Sequence, residues 1–150
     1  MKRLAILLVT ALLGTTVHAE SAEELVAGKT RADIDYRQLM ELMGEAVGTI
    51  QRGILRENAE LVAIGARMIL DHPAPRHRPW TIMAPADRDA FKQALLAFDP
   101  QLDRHAGAAL EAAREADWGT ALDALARLDH ACIACHAGWR QRVVRTAPAP

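Results

Sequence analysis

Aromatic residues make up only 4% of this 150-residue chain, and it holds just two cysteines. So few cysteines exclude a multi-bridge disulfide scaffold. Alternation of apolar and polar residues at period two is also missing, so nothing reads as strand. Neither sign of charge dominates, with 18 Lys+Arg against 19 Asp+Glu. That balance argues against nucleic acid as a partner, which calls for a basic face. Long hydrophobic runs are absent too. The longest, "LAILLVTALLG" from Leu4, falls short of the roughly 20 apolar residues of a transmembrane helix.

That run has a different use. Lys2 and Arg3 precede it, and "VHA" after it ends on a small residue at Ala19. A positive start, a short apolar stretch and a small-residue end form the pattern of a secretory signal peptide over residues 1–19. Cleavage after Ala19 leaves residues 20–150, with 16 − 19 = −3 formal charges. The expected location is the periplasm of a bacterial-type cell, with no stable membrane insertion after cleavage. An exported chain with a close cysteine pair needs a reason to escape random oxidation, and a covalent cofactor is one such reason.

The remaining periodicity is helical throughout. A first helix is expected over 31–57, with a possible start nearer 23. Tyr36, Met40, Met43, Val47, Ile50 and Ile54 recur on it at spacings of four and three, a packing seam that Leu39, Leu42 and Ala46 widen. Gly44, Gly48 and Gly53 weaken that helix and suit close approach of another helix or a flat ligand. A second helix is expected over 58–71 behind Asn58 as cap, with Leu61, Ile64, Gly65 and Met68 inward. "HPAPRHRPWTIMAP" carries four prolines, so residues 72–86 read as a loop held down by Trp80, Ile82 and Met83. The third helix is expected over 87–116, bent or split at Pro100, with Phe91, Leu95, Phe98, Leu102, His105 and Ala109 on one stripe. After a turn at "DWG" the fourth runs over 119–145, with Leu122, Leu125, Leu128, Cys132, Cys135, Trp139 and Val143 as its seam. The expected fold is all-α: an antiparallel four-helix bundle in up-down-up-down order over residues 20–150.

Both cysteines sit in "CIACH", as Cys132 and Cys135, with His136 next. A thioredoxin-type dithiol follows a strand and opens a helix, whereas this pair lies well inside a helix. Structural zinc needs a second ligand pair, and no second C-x-x-C or H-x-x-x-H exists. A disulfide across i and i+3 of a helix matches disulfide geometry poorly. Covalent haem attachment fits the helical context: two thiols and an imidazole within one turn, for two vinyl groups and the iron. On that reading Cys132 and Cys135 form the thioethers and His136 is the proximal iron ligand.

With these residues in view, the chain resembles the class II c-type cytochromes, cytochrome c-prime and its low-spin relatives. The likeness is concentrated in "CIACHAGWR" and "YRQLMELMGEAVGTI". It implies one covalent haem c in an exported four-helix bundle, and an aromatic and a basic residue at Trp139 and Arg140. The family divides on the distal ligand. Where an apolar residue of the first helix covers the iron, the protein binds nitric oxide or carbon monoxide. Where a methionine closes the shell, it looks like an electron carrier. Aligning "LMGEA" with the family pattern puts Met40 at that place. Helix geometry agrees: His136 is nine residues from Arg145 and Met40 nine from Arg31, about 14 Å each. Met43, about 4.5 Å further on, is the second candidate.

Arg37 and Arg140 are candidates for the haem propionates or the proximal side, since arginine suits carboxylates. His105, about 27 Å along its helix, is expected as a core or boundary histidine. Met68 is expected to pack on the ring, His72 and His77 to be solvated, and Leu95, Leu96 and Phe98 to border the haem. The expected function is electron carriage by a His/Met-ligated haem, without enzymatic turnover, through transient contacts with redox proteins. The alternative is a five-coordinate gas binder. The resemblance also admits a homodimer through the first two helices.

Overall fold

The computed structural model describes residues 21–144. The expected export segment at residues 1–19 and the last residues from Arg145 lie outside the described residues. Among the described residues there are five α-helices and no strand, so the chain is all-α.

A short helix, α1, spans Ala22–Ala27 and was not separated from the first long helix by periodicity. Ser21 caps it, accepting from the Glu24 N–H while the Glu24 carboxylate accepts from the Ser21 N–H. This reciprocal pair satisfies two otherwise orphaned donors. The chain then runs extended past Arg31, pairing with Ala74 through Ala32 N–H to Ala74 O and Ala74 N–H to Thr30 O. The first long helix, α2, is Tyr36–Leu55, not 31–57. Its start is set by a second capping box, Asp35 with Gln38.

α3 spans Ala59–Leu70 behind the Asn58 cap, whose side chain accepts from the Leu61 N–H. Its buried residues are Val62, Gly65, Ala66 and Ile69, while Ile64 is 50% exposed. The inward face is therefore rotated from the expected one. In "AELVAIGARMIL" nearly every position is apolar, so the period alone leaves the face undetermined. Two glycines set the α2–α3 contact. A Cβ on Gly53 would lie 2.6 Å from the Val62 nitrogen, and one on Gly65 2.7 Å from the Ala46 oxygen. The end of α2 thus meets the start of α3 and the middle of α2 meets its later half, so the two run in opposite senses.

The proline-rich segment is a loop with two short 3-10 turns, Pro79–Ile82 and Pro85–Asp87. Trp80 and Met83 are buried in it, as expected. α4 runs unbroken over Arg88–Arg114, so Pro100 does not split it. Proline removes one backbone donor within its turn. Pro100 itself is exposed, and the Gln101 side-chain amide donates to the Ala97 oxygen at 2.7 Å in the same turn. α5 spans Trp118–Trp139, capped by Asp117, and gives way to a 3-10 turn at Arg140–Arg142. Leu122 is half exposed, while Ala121, Ala124, Leu125, Leu128 and Ala131 form the buried seam.

α2 packs on α3, α3 on α4, α4 on α5, and α5 also meets α2. Their shared core joins Leu39, Met43, Ala46, Ile50, Val62, Ile69, Leu110, Leu125 and Leu128. A smaller cluster of Ala22, Val26, Trp80, Met83 and Phe91 ties α1 and the loop to α4.

Candidate functional site

The main core stops short at one end of the long helices. There a cavity of about 260 Å³ opens, with walls from α2, α4, α5, α1 and the proline loop. α2 contributes Tyr36, Met40, Met43, Gly44 and Val47; α5 contributes Cys132, Cys135 and His136. Met40 and the C-x-x-C-H residues, about a hundred positions apart in sequence, therefore share one space. An open cleft of about 1280 Å³ adjoins it, with Tyr36, Met40, Cys135 and His136 on both walls.

Met40 and Met43 differ in surroundings. Met43 is 8% exposed and belongs to the core cluster. Met40 is half-buried and borders both spaces, as His136 does. A Cβ added to Gly44 would meet nothing within 4 Å, so that stretch of α2 is open toward the cavity.

No disulfide joins Cys132 and Cys135. Burial pushes both thiols up; Asp129 adds to this at Cys132, and Cys132 at Cys135. Redox dithiols work as thiolates, with the thiol shifted down. Here the environment favours the protonated thiol instead. Among the described residues, no three His, Cys, Asp or Glu side chains gather closely enough to hold a metal ion by themselves. Two neutral thiols, an imidazole and a thioether around an apolar space fit a flat, apolar ring with iron at its centre.

Arg37 and Arg140 both line the open cleft. Arg37 also pairs with Glu41 at 3.1 Å on an exposed surface, where such pairs contribute little. Trp139 packs edge-on against Phe91 at 5.3 Å, and Phe91 against Tyr36 at 6.1 Å. This aromatic chain ties α2, α4 and α5 together beside the cleft. Of the residues expected to border the haem, Leu95 and Phe98 line the cavity, whereas Leu96 packs in the smaller cluster.

Three expectations need correction. Met68 packs on the main core and lines neither space, because α3 turns Ile69 and Ala66 inward. His72 is 8% exposed rather than solvated. Its Nε2 lies 2.9 Å from Lys29 Nζ and 3.0 Å from Asp99 Oδ1, and Lys29 pairs with Asp99 at 3.1 Å. His77 is half-buried, with Nε2 lacking a hydrogen-bond partner among the described residues. His105 lies outside both spaces, as expected, and burial together with Arg104 and Arg127 lowers its proton affinity.

Sequence reasoning missed Lys29 and Asp99 altogether, and both line the cavity. They come from segments 70 residues apart, and no local spacing announces such a pair. Tyr36 was placed on the seam without a role. Its hydroxyl is pushed strongly up by burial, then by Cys135 and Asp99, which marks how dry the cavity wall is. No protein-family model, curated protein or solved structure matches this chain.

Proposed function

We propose that this is a periplasmic mono-haem c-type cytochrome of the class II kind, an electron carrier built on an up-down-up-down four-helix bundle. One observation carries the reading: Cys132, Cys135, His136 and Met40 line a single apolar cavity from two facing helices. In this reading Cys132 and Cys135 would hold the haem covalently through their two thiols. The haem supplies a one-electron couple when bound. His136 from α5 and the Met40 thioether from α2 would hold the iron, a pair that would raise its reduction potential.

The rest of the chain excludes water and orients the ring. Tyr36, Leu95, Phe98 and Leu102 provide apolar wall. Arg37 and Arg140 offer guanidinium forks for propionates at the open cleft. The role proposed for the site is carriage of one electron. The exposed side of α5 around Ile133, which is 64% exposed, offers a small surface for transient redox partners.

A second reading, gas binding at a five-coordinate iron, is favoured by one feature. The space beyond Met40, beside Gly44 and Val47, is apolar and open. The test is expression in a host with haem-attachment machinery, followed by haem staining on a denaturing gel. The wild type is expected to stain, and Cys132→Ser/Cys135→Ser to stay blank. A blank wild type contradicts the reading.

A further inference from the structure

The cavity wall is mostly apolar, and one cluster of charged groups interrupts it. Lys29, after α1, His72, after α3, and Asp99, on α4, meet there at 2.9 to 3.1 Å. Their side chains are 17%, 8% and 13% exposed. Buried charges are costly unless paired, and in a dry wall their fields act strongly on a neighbouring centre. Burial pushes the Asp99 carboxyl up, but the His72 hydrogen bond and the Lys29 charge outweigh this and hold it below the usual range. Asp99 pairs with Lys29 through Oδ2 and meets His72 through Oδ1, so the three side chains form one network.

His72 has two bonded states in this geometry, each using one of the two contacts at Nε2. Neutral, its Nδ1–H donates to the Pro73 oxygen at 3.2 Å, and Nε2 accepts from Lys29 Nζ. Protonated, it keeps the Pro73 bond, and Nε2–H donates to Asp99 Oδ1. The neutral ring leaves Asp99 Oδ1 facing a bare Nε2 lone pair, and the protonated ring leaves the Lys29 ammonium facing an N–H, so a proton that comes or goes exchanges one bond at Nε2 for the other. Other charged groups are near. Asp103 on α4 has a buried, unpartnered Oδ1, and its proton affinity is raised by burial and then by Asp99. Asp71 precedes His72 in sequence; Asp129 of α5 and Tyr36 of α2 line the same cavity.

We propose that His72, between Lys29 and Asp99, is a proton-binding site coupled to electron uptake in the adjoining cavity. The proposal rests on the haem reading above. On that reading an external one-electron donor would be oxidised and the iron of a haem held in the cavity would be reduced. One proton enters from water at Nε2 of His72. The Lys29 Nζ–H···Nε2 bond gives way to Nε2–H···Oδ1 of Asp99, and no covalent bond to carbon changes. Added negative charge in the cavity favours protonated His72, and protonated His72 favours the added electron by the same factor. Histidine is the side chain whose charge changes between about pH 5 and 8.

The experiment measures the reduction potential of the haem-loaded full-length mature protein from pH 5 to 8, and follows the His72 ring by NMR in both redox states. The wild-type potential is expected to fall with rising pH. The limiting slope is a tenfold change in the reduction equilibrium per pH unit, about 59 mV. His72→Gln is expected to abolish the slope, and the wild-type His72 midpoint to lie higher in the reduced protein. A flat wild-type profile, an unchanged slope in His72→Gln, or one His72 midpoint in both redox states overturns the proton site. Each of these leaves the haem reading standing. A blank haem stain overturns that reading and the proton site with it.

Discussion

Gly65→Ala is expected to destabilise the fold although alanine is the better helix former. In an exposed helix the change would gain about 1 kcal/mol. At Gly65 the new Cβ would stand 2.7 Å from the Ala46 oxygen and 2.8 Å from the Ile50 nitrogen, both backbone atoms of α2. No rotamer change relieves a clash with backbone, so α2 and α3 must separate. Overpacking costs about 1–3 kcal/mol, and a rigid contact on both sides belongs at the upper end. The net loss is then about 2 kcal/mol, or about 8 °C in Tm for a domain of this size. Gly107→Ala is the matched control, since its Cβ would meet nothing within 4 Å; it is expected to hold or gain up to about 1 kcal/mol. Urea and thermal unfolding of both variants measure the two signs. A Gly65→Ala protein as stable as Gly107→Ala would refute the close α2–α3 contact.

Asn58→Ala removes the acceptor for the Leu61 N–H and is expected to cost about 1 kcal/mol in urea unfolding. Asp99 is depressed in the folded state, so its stabilisation is present above the unfolded carboxylate range and is lost as pH falls through its folded value. The expected outcome is a stability–pH curve that drops below about pH 4 and is flatter there in Asp99→Asn. Asp103 has the opposite sign. Its raised proton affinity makes the charged form a liability at neutral pH, so Asp103→Asn should raise Tm at pH 7, with the gain shrinking as pH falls toward 4.

The seam on α2 was legible because its polar and apolar residues alternate cleanly: Met43, Ile50 and Ile54 are buried, and Tyr36, Met40 and Val47 line the cavity. The separate α1 was legible in principle from Ser21 and Glu24, a capping-box spacing with only a short apolar run behind it. The break at 28–35 was not, because nothing in "GKTRADID" forbids helix strongly. α3 was misread in phase because it is apolar almost all round. The pairing of Met40 with "CIACH" could be argued from helix lengths, since both lie a similar distance from the same end. The Lys29–His72–Asp99 network could not, because three loop and helix positions distant in sequence meet only in the folded chain.

On the proposed haem reading, the Met40 and His136 side chains would face one another across the ring. The most direct test is the absorption spectrum of the purified protein in both redox states, beside that of Met40→Leu. The expected result is a low-spin spectrum, unmoved by brief exposure to carbon monoxide, that becomes high-spin and carbon-monoxide-sensitive in Met40→Leu. A wild type already high-spin, or a low-spin spectrum that survives Met40→Leu, would contradict it.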